Sequence, residues 1–175
     1  MNWKVLLAGV LIVAPLVVLL RVGFNFDPEI VESPLMDQEA PLFTLADRFG
    51  ETYSLEDMRG KPVVINFWAT YCPPCYVEHP LFMESSRRWA GEAHFIGVIY
   101  HDDPALIARW EEQLGAWGPS LIDEEGRMAI AYGVYGPPET FFIGRDGRIA
   151  YKVIGVVSPQ QMESHLQTLL AEDSA

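Results

Sequence analysis

An apolar run that breaks into two closely spaced cysteines constrains this chain more than any other feature. The run Val63-Val64-Ile65-Asn66-Phe67 is short, rich in β-branched residues and preceded by Pro62, which predicts a buried strand. The sequence Trp68-Ala-Thr-Tyr-Cys72-Pro-Pro-Cys75 follows, and a helix beginning there would place the first sulfur at its N-terminus. Unpaired backbone N–H groups and the helix dipole at that position favour a thiolate. Because a second thiol lies one turn away, the pattern predicts thiol–disulfide exchange.

Other uses of the two cysteines fit the sequence less well. A structural zinc site takes about four ligands, and only His79 lies near this pair, which holds the only cysteines of the chain. Covalent haem attachment requires Cys-x-x-Cys-His, and Tyr76 occupies the histidine position. A permanent structural disulfide stays open, although it would close a very short loop and remove little entropy from the unfolded chain. Redox chemistry is the favoured interpretation.

The amino-terminal segment is apolar enough to predict a membrane anchor. Residues 5–20 carry no charged side chain, with Lys4 before them and Arg21 after them. This stretch is slightly shorter than the ~20 residues that span a hydrocarbon core, and flanking aromatic residues extend it as interfacial groups. A cleaved signal peptide is the alternative, but no small-residue cleavage motif follows. We therefore expect a transmembrane anchor over 1–24.

The acidic character of the chain bears on its organisation and its partners. Residues 25–40 are acidic and contain two prolines, which predicts a tether, and a globular domain is expected over 41–172. The net charge of −12 argues against nucleic acid as a partner, because phosphates would be repelled. The short N-terminus and the acidic stretch after the anchor fit a chain whose bulk is translocated into an oxidising compartment.

Strands alternate with helices through the rest of the sequence. Predicted strands lie at 42–45, 52–55, 62–68, 94–100, 120–123, 140–143 and 149–154, and predicted helices at 72–90, 103–114, 126–132 and from 158 onward. The first two strands form a small hairpin extension, and Asp-Gly at 146–147 predicts a second hairpin. This order predicts an α/β fold built around one sheet.

The chain resembles the thioredoxin superfamily, and three features carry the resemblance. They are the segment Asn66–Cys75, Pro80 five residues after the second cysteine, and Pro138 before Thr140-Phe141. More narrowly, the chain is similar to the membrane-anchored TlpA/ResA-like reductases, and most of all to the DsbE/CcmG thiol:disulfide interchange proteins of cytochrome c maturation. The narrower match rests on Cys-x-x-Cys-x-x-Glu78-His79 and on the segments 97–104 and 133–140. The resemblance implies a thioredoxin-like fold, with a central mixed sheet flanked by helices and an N-terminal membrane helix.

The resemblance also implies roles for the residues of the cysteine motif. Cys72, expected to be exposed, would be the nucleophile, and the more buried Cys75 would be the resolving thiol. Glu78 lies three residues after Cys75 on the same helix face and would assist proton transfer. Typical thioredoxins place an acid on the preceding strand, where this chain has Asn66. The alternative for Glu78 is an ordinary exposed helix glutamate. His79 is expected at the surface, with a titrating neighbour of the cysteines as the alternative.

A substrate groove is expected beside the cysteines. Pro138 matches the cis-proline of the family, which faces the cysteine pair and binds an incoming peptide through neighbouring backbone. Glu139 matches an acid that adjoins this groove, with a solvated strand-edge charge as the alternative. Trp68 and Tyr71 are expected to pack beside the active loop, although Trp68 could equally belong to the core. Val156 stands where close relatives often carry an acid, which predicts a less acidic surround.

By resemblance, the chain would be a membrane-anchored protein-disulfide reductase of the bacterial inner membrane, single-pass, with its carboxyl-terminal domain in the periplasm. Its substrate would be apocytochrome c or a cytochrome-maturation thiol protein, and a membrane thiol carrier would supply electrons. No metal or cofactor is expected beyond a redox-active disulfide between Cys72 and Cys75, and a monomer is the default. An oxidase or isomerase on the same fold and a non-enzymatic chaperone stay as alternatives.

Overall fold

The computed structural model describes residues 35–171 continuously, and before them only residues 3, 4, 7, 11, 13–15, 17 and 21. The chain divides into two compact units, Met1–Glu32 and Ser33–Ala175, and the second carries both cysteines. Within the described residues, no helix has the length and apolar character needed to cross a membrane. The predicted anchor over 1–24 lies mostly outside the described residues, as does the part of the predicted 25–40 tether that precedes residue 35.

A small hairpin opens the second unit. Strand β1 (Thr44–Ala46) pairs antiparallel with β2 (Thr52–Ser54), as the sequence predicts. One turn of 3-10 helix over Glu56–Met58 follows. The Ser54 hydroxyl oxygen accepts a hydrogen bond from the backbone N–H of Asp57 at 3.3 Å, which ties the end of β2 to this turn.

A five-stranded mixed sheet forms the centre of this unit. The strands of this sheet and the helices between and after them are, in chain order, β3 (Val63–Trp68), α1 (Pro73–Arg88), β4 (His94–Ile99), α2 (Pro104–Leu114), β5 (Ser120–Ile122), α3 (Arg127–Ala131), β6 (Glu139–Ile143), β7 (Ile149–Ile154) and α4 (Pro159–Ala171). The strand order is β5-β4-β3-β6-β7. Strands β3, β4 and β5 run parallel, whereas β6 is antiparallel to both β3 and β7. This topology confirms the predicted thioredoxin-like α/β fold.

The central strand β3 is buried along its whole length because hydrophobic layers cover both faces of the sheet. Alternate side chains of a strand point to opposite faces, and here Val64 and Trp68 join one core while Val63, Ile65 and Phe67 join the other. The first core contains residues of α1, α2 and α4. Asn66 is on the face of Trp68, so its amide is directed towards α1.

Gly97 on β4 gives Trp68 the space that its indole occupies. A Cβ atom at residue 97 would lie 2.7 Å from Trp68 Nε1, and the indole is held by Trp110 with ring centroids 4.5 Å apart. We expect Gly97→Ala to lower the free energy of unfolding by about 1–3 kcal/mol, because the buried indole must shift. Urea unfolding measures this effect. Gly136→Ala is the matched control, since a Cβ there meets nothing within 4 Å, and an equal loss in both variants would contradict the steric argument.

Candidate active site

The two cysteines lie where β3 leads into α1. Cys72 is the N-cap residue of the helix, and two prolines fill the first helical positions, where no backbone N–H donor is needed. A disulfide joins Cys72 to Cys75. The backbone N–H of Cys75 also donates a hydrogen bond to Cys72 Sγ at 3.2 Å. The sequence therefore places the first sulfur at the helix start, as predicted.

Cys72 is less accessible than its expected role implied. Its exposed fraction is 4%, close to the 3% of Cys75. The expectation of an exposed Cys72 and a more buried Cys75 is wrong for the disulfide form. The reason is that the Cys72 sulfur is bonded to Cys75 and turned over the first turn of the helix.

One face of α1 carries the cysteine and the polar residues of the site into the core. The buried residues of the helix follow a spacing of three or four positions and are Cys75, Glu78, His79, Phe82 and Ser85. His79 is therefore buried, and the expectation that it lies at the surface is wrong. Its Nε2 lies 3.1 Å from the carbonyl oxygen of Leu114, and its ring packs edge-on against Trp110.

Glu78 is a buried carboxyl group held from two other elements. Asn66 on β3 donates its amide N–H to Glu78 Oε1 at 2.8 Å, and the backbone N–H of Val157 donates to Oε2 at 3.2 Å. The residue is 3% exposed, so the alternative of an ordinary exposed glutamate is wrong. Burial raises the pKa of Glu78 to about 7, and the two hydrogen bonds, which lower the pKa, offset only part of that rise.

Glu78 and Cys75 border the same small internal cavity. The cavity is lined by Asn66, Trp68, Cys75, Glu78, His79, Phe82, Trp110 and Trp117. A carboxyl group that titrates near neutral pH thus lies beside the second cysteine of the pair. This arrangement is suited to moving a proton to or from that sulfur.

The two aromatic residues predicted to flank the active loop occupy different environments. Trp68 is 3% exposed and packs against Trp110 with the two rings tilted, so it is a core residue. Tyr71 is 57% exposed, immediately before Cys72. Its hydroxyl donates a hydrogen bond to the carbonyl oxygen of Tyr100 at 3.0 Å. Only Tyr71 of this pair presents a large surface beside the cysteine motif.

Pro138 lies beside the carboxyl-terminal end of strand β3. The Pro137–Pro138 peptide bond is cis, as the sequence resemblance predicted. Strand β6 begins directly after it and pairs with β3, with Glu139 opposite Phe67. The carbonyl oxygen of Pro138 accepts a hydrogen bond from Gly155 N at 2.9 Å. The register therefore brings Pro138 to the end of the sheet from which the chain leads to Cys72.

Glu139 is completely buried, so the alternative of a solvated strand-edge charge is wrong. Its Oε2 forms an ion pair with Lys152 Nζ on β7 at 2.7 Å, and the Lys152 side chain is only 5% exposed. Its Oε1 accepts hydrogen bonds from the backbone N–H groups of Tyr135 and Gly136 at 2.6 and 3.2 Å. The carboxylate thus fixes the loop that leads into Pro138.

Several contributors to this site were not identified from the sequence. They are Trp110, Trp117, Lys152 and Val157. The spacing of His79 from Cys75 and Phe82 was a usable signal for its burial, since positions four and three apart share a helix face. Nothing local marks Val157, whose N–H reaches Glu78 across 79 positions of the chain. Val156 beside it is 42% exposed.

Comparison with known proteins agrees with the fold and with thiol:disulfide chemistry. The AhpC/TSA family matches residues 36–152. A thiol:disulfide interchange protein DsbE from Pasteurella multocida is 36% identical over 172 residues, which cover 97% of this chain and 93% of that protein. The Escherichia coli K12 protein of the same name is 35% identical over 147 residues, which cover 82% of this chain and 78% of that protein.

Solved structures show the same relationship. A DsbE thiol:disulfide interchange protein from Chlorobium tepidum has a TM-score of 0.71 at 25% identity, covering 77% of this chain and 97% of its own. The exposed lipoprotein thioredoxin of Streptococcus pneumoniae has a TM-score of 0.67 at 27% identity, covering 74% and 100%. The chain therefore belongs to the AhpC/TSA family of thioredoxin-like proteins and, within it, to the thiol:disulfide interchange proteins of the DsbE type.

Proposed function

We propose that this thiol:disulfide oxidoreductase is a membrane-anchored periplasmic reductant of protein disulfides in c-type cytochrome biogenesis. The observation that carries the proposal is the position of Cys72 Sγ at the start of α1, where it accepts the N–H of Cys75 at 3.2 Å. A donor aimed at the sulfur and the positive end of the helix dipole both stabilise a thiolate. A thiolate of this kind is the nucleophile that disulfide exchange requires.

The reaction proceeds in two exchanges from the reduced protein. The Cys72 thiolate attacks one sulfur of the substrate disulfide, that bond breaks, and the other substrate sulfur leaves as a thiolate. Cys75 then loses its proton and attacks Cys72 Sγ, which releases the second substrate sulfur. The protein is left with the Cys72–Cys75 disulfide, and two electrons have passed to the substrate. In this scheme Glu78 is the nearby group that accepts the Cys75 proton.

The substrate follows from the resemblance to the DsbE/CcmG proteins. Haem attachment to c-type cytochromes requires both thiols of a Cys-x-x-Cys-His segment to be reduced. The oxidised form of that segment, or a thiol protein that carries its disulfide, is the substrate we propose. A membrane thiol carrier re-reduces the Cys72–Cys75 pair, and the anchor over 1–24 keeps the monomeric domain at the periplasmic face of the inner membrane.

In this proposal the substrate docks against the loop that leads into Pro138. Tyr71 offers an exposed aromatic surface beside the nucleophile. The buried Glu139 carboxylate binds the backbone N–H groups of Tyr135 and Gly136 and the side chain of Lys152, and so holds this loop in place. Glu139 is thus a positioning residue of the groove rather than a contact of the substrate, because its side chain is fully buried.

The reduction potential of the Cys72–Cys75 couple tests the direction of electron flow. For the full-length protein, equilibrated with glutathione buffers and followed by the fraction of free thiols, we expect a value of about −200 to −270 mV, where the reducing members of this chemistry lie. A value near about −120 mV is that of a strong oxidant. It would contradict the proposed reducing role and favour disulfide formation instead.

A further inference from the structure

Three buried ring nitrogens of the core lack a hydrogen-bond partner among the described residues. They are Trp68 Nε1, His79 Nδ1 and Trp110 Nε1. The residues that carry them are 3%, 6% and 5% exposed. Polar atoms buried to this degree are almost always satisfied, by protein or by an internal water molecule, because leaving them unpaired costs free energy.

All three residues line the same cavity, together with Cys75 and Glu78. The rings form one cluster, since the Trp110 centroid lies 4.5 Å from that of Trp68 and 4.3 Å from that of His79. The cavity has a volume of about 10 Å³. This is the size that accommodates a single water molecule, provided that two to four polar partners surround it.

The hydrogen-bonding character of the three nitrogens matches one water molecule. His79 Nε2 lies 3.1 Å from the Leu114 carbonyl oxygen, which can only accept, so Nε2 carries a hydrogen. In the neutral imidazole Nδ1 is then an acceptor, whereas the two indole N–H groups are donors. A water molecule can accept from both indoles and donate one hydrogen to His79 Nδ1. Because both of its lone pairs are then occupied, it can receive the Cys75 proton only when the Cys75 S–H replaces one indole N–H as a donor to the water oxygen.

We propose that Trp68, His79 and Trp110 bind one water molecule beside Cys75 and Glu78, and that His79 Nδ1 receives the proton of the Cys75 thiol through it. This inference rests on the resolving role proposed for Cys75. In the step, the Cys75 S–H takes the place of one indole N–H as a donor to the water oxygen. The S–H bond then breaks as its proton passes to that oxygen, while a proton of the water passes to Nδ1. The freed sulfur electron pair attacks Cys72 Sγ, and the substrate sulfur leaves with the electrons of the mixed disulfide.

His79 matters most as a proton acceptor at pH values where the carboxyl group of Glu78 is already protonated. Because the pKa of Glu78 is raised to about 7, its carboxyl group is mostly protonated below pH 7 and cannot take another proton. Burial lowers the pKa of His79 below its ordinary value of 6.5, which favours the neutral imidazole that can accept a proton. Cys75 and Glu78 are the only other titratable groups that line the cavity.

Two further titratable residues, Tyr76 and Glu111, lie near the cluster but do not line the cavity. Tyr76, on α1, packs against Trp110 with its ring centroid 5.7 Å away and is 46% exposed. Glu111, on α2, is held by Arg48 at 2.8 Å and by the Ser120 hydroxyl at 2.6 Å. Beyond the ionisation of the Cys75 thiol itself, the pH dependence of the Cys75 step is therefore assigned to Glu78 and His79.

His79→Gln tests the relay, since the glutamine amide can still donate to Leu114 O while the titrating Nδ1 is removed. Reduced full-length protein is mixed with an aromatic disulfide reagent that forms a mixed disulfide on Cys72, and the second release of aromatic thiolate reports the attack by Cys75. The substitution is compared in the Glu78→Gln background, because Glu78 with a pKa of about 7 is still about one-tenth ionised at pH 6 and would carry most of the transfer in the wild type. In that background we expect His79→Gln to slow resolution about tenfold further, a modest share of typical general-base effects. His165→Gln, which replaces a half-buried histidine of α4 away from the cavity, is expected to leave the rate unchanged in the same background.

A model disulfide reagent keeps this test independent of the natural substrate. A wrong cytochrome assignment would leave these rates as they are, whereas a wrong relay would leave the Glu78→Gln variant and the Glu78→Gln/His79→Gln double variant resolving at the same rate. The latter result overturns the proposal.

The water site is tested separately from the rates. In nitrogen-labelled wild-type protein, we expect magnetisation transfer from one long-lived water molecule to the indole N–H groups of both Trp68 and Trp110. Trp110→Phe keeps an aromatic ring in the cluster but removes one donor. It should weaken the Trp68 signal and, in the Glu78→Gln background, slow resolution as His79→Gln does. A wild-type spectrum without water contacts at either indole overturns the site, even if His79→Gln is slow because of altered packing.

Discussion

Replacement of Cys72 by serine is expected to abolish disulfide reduction, whereas replacement of Cys75 by serine is expected to trap the substrate. The Cys72 variant lacks the thiolate that α1 stabilises, so the first exchange cannot begin. Its rate should fall to background, a loss on the order of 10⁴-fold or more, the scale seen when a nucleophile is removed. The measurement is reduction of an oxidised peptide that carries Cys-x-x-Cys-His by the reduced full-length protein.

The Cys75→Ser variant completes the first exchange and then stops. Its Cys72 remains bound to the substrate sulfur, because no second thiol lies one turn away to release it. In cells that make c-type cytochromes, we expect a mixed disulfide that contains apocytochrome c or a cytochrome-maturation thiol protein, visible on non-reducing gels and absent after reduction. The double variant lacking both cysteines is the control for association without a bond.

The pattern of trapped proteins separates the proposed activity from its alternatives. Trapping of unrelated exported proteins without any cytochrome-maturation protein would contradict the substrate assignment and leave the exchange chemistry intact. A Cys72→Ala variant that kept full activity in cytochrome biogenesis would instead indicate a peptide-binding role without redox chemistry. The proteins trapped by Cys75→Ser therefore test the substrate assignment, and the activity of Cys72→Ala tests the need for a nucleophile.

The features that were predictable from the sequence have local causes. Helix α2 begins at Pro104 as expected, because Asp103 caps it through a 2.8 Å hydrogen bond to the N–H of Ala105 and proline suits the first helical position. Strand β7 has its predicted bounds, since Asp-Gly before it marks the turn between two apolar strands. Signals of this kind need only neighbouring residues.

The environments of the polar site residues could not be predicted in the same way. The burial of Glu139 depends on Lys152 from the neighbouring strand, and that of His79 depends on a carbonyl at the end of α2. Each contact joins positions that only the completed fold brings together. The residues of the cysteine motif and Pro138 were therefore accessible from the sequence, whereas the partners that other elements supply were not. The protonation chemistry of the site was not accessible either, because burial and partners determine it.

Replacement of Glu78 by glutamine is expected to slow the resolving step and to change how stability depends on pH. Glutamine has nearly the same shape but cannot accept a proton from Cys75. At pH 8, where the wild-type carboxyl group is mostly ionised because its pKa is about 7, we expect the second exchange to slow by about 10²-fold, the lower end of general-base effects. The release of aromatic thiolate described for His79→Gln measures it, and Glu84→Gln on the exposed face of α1 is the matched control.

The same substitution should alter the free energy of unfolding in a direction that the raised pKa determines. In the folded protein Glu78 has a pKa of about 7 against an ordinary value of 4.5, so the folded state binds its proton more tightly than the unfolded chain does. The stabilisation from this proton is complete below about pH 4.5 and is lost as the pH rises through 7. The full loss corresponds to about 3 kcal/mol.

Glu78→Gln carries no such ionisation, so its stability relative to the wild type should rise by about 2–3 kcal/mol between pH 5 and pH 9. Glutamine offers one acceptor oxygen to the two donors, Asn66 and Val157, and that cost is the same at both pH values and cancels from the comparison. Urea unfolding of the oxidised full-length variants at the two pH values measures the difference. Parallel pH profiles for the wild type and Glu78→Gln would show that the carboxyl group is not held protonated by its burial. The opposite result is that Glu78→Gln slows the Cys75 step and is more stable than the wild type at alkaline pH. It would show that the protein retains a destabilising buried acid because the resolving thiol needs it.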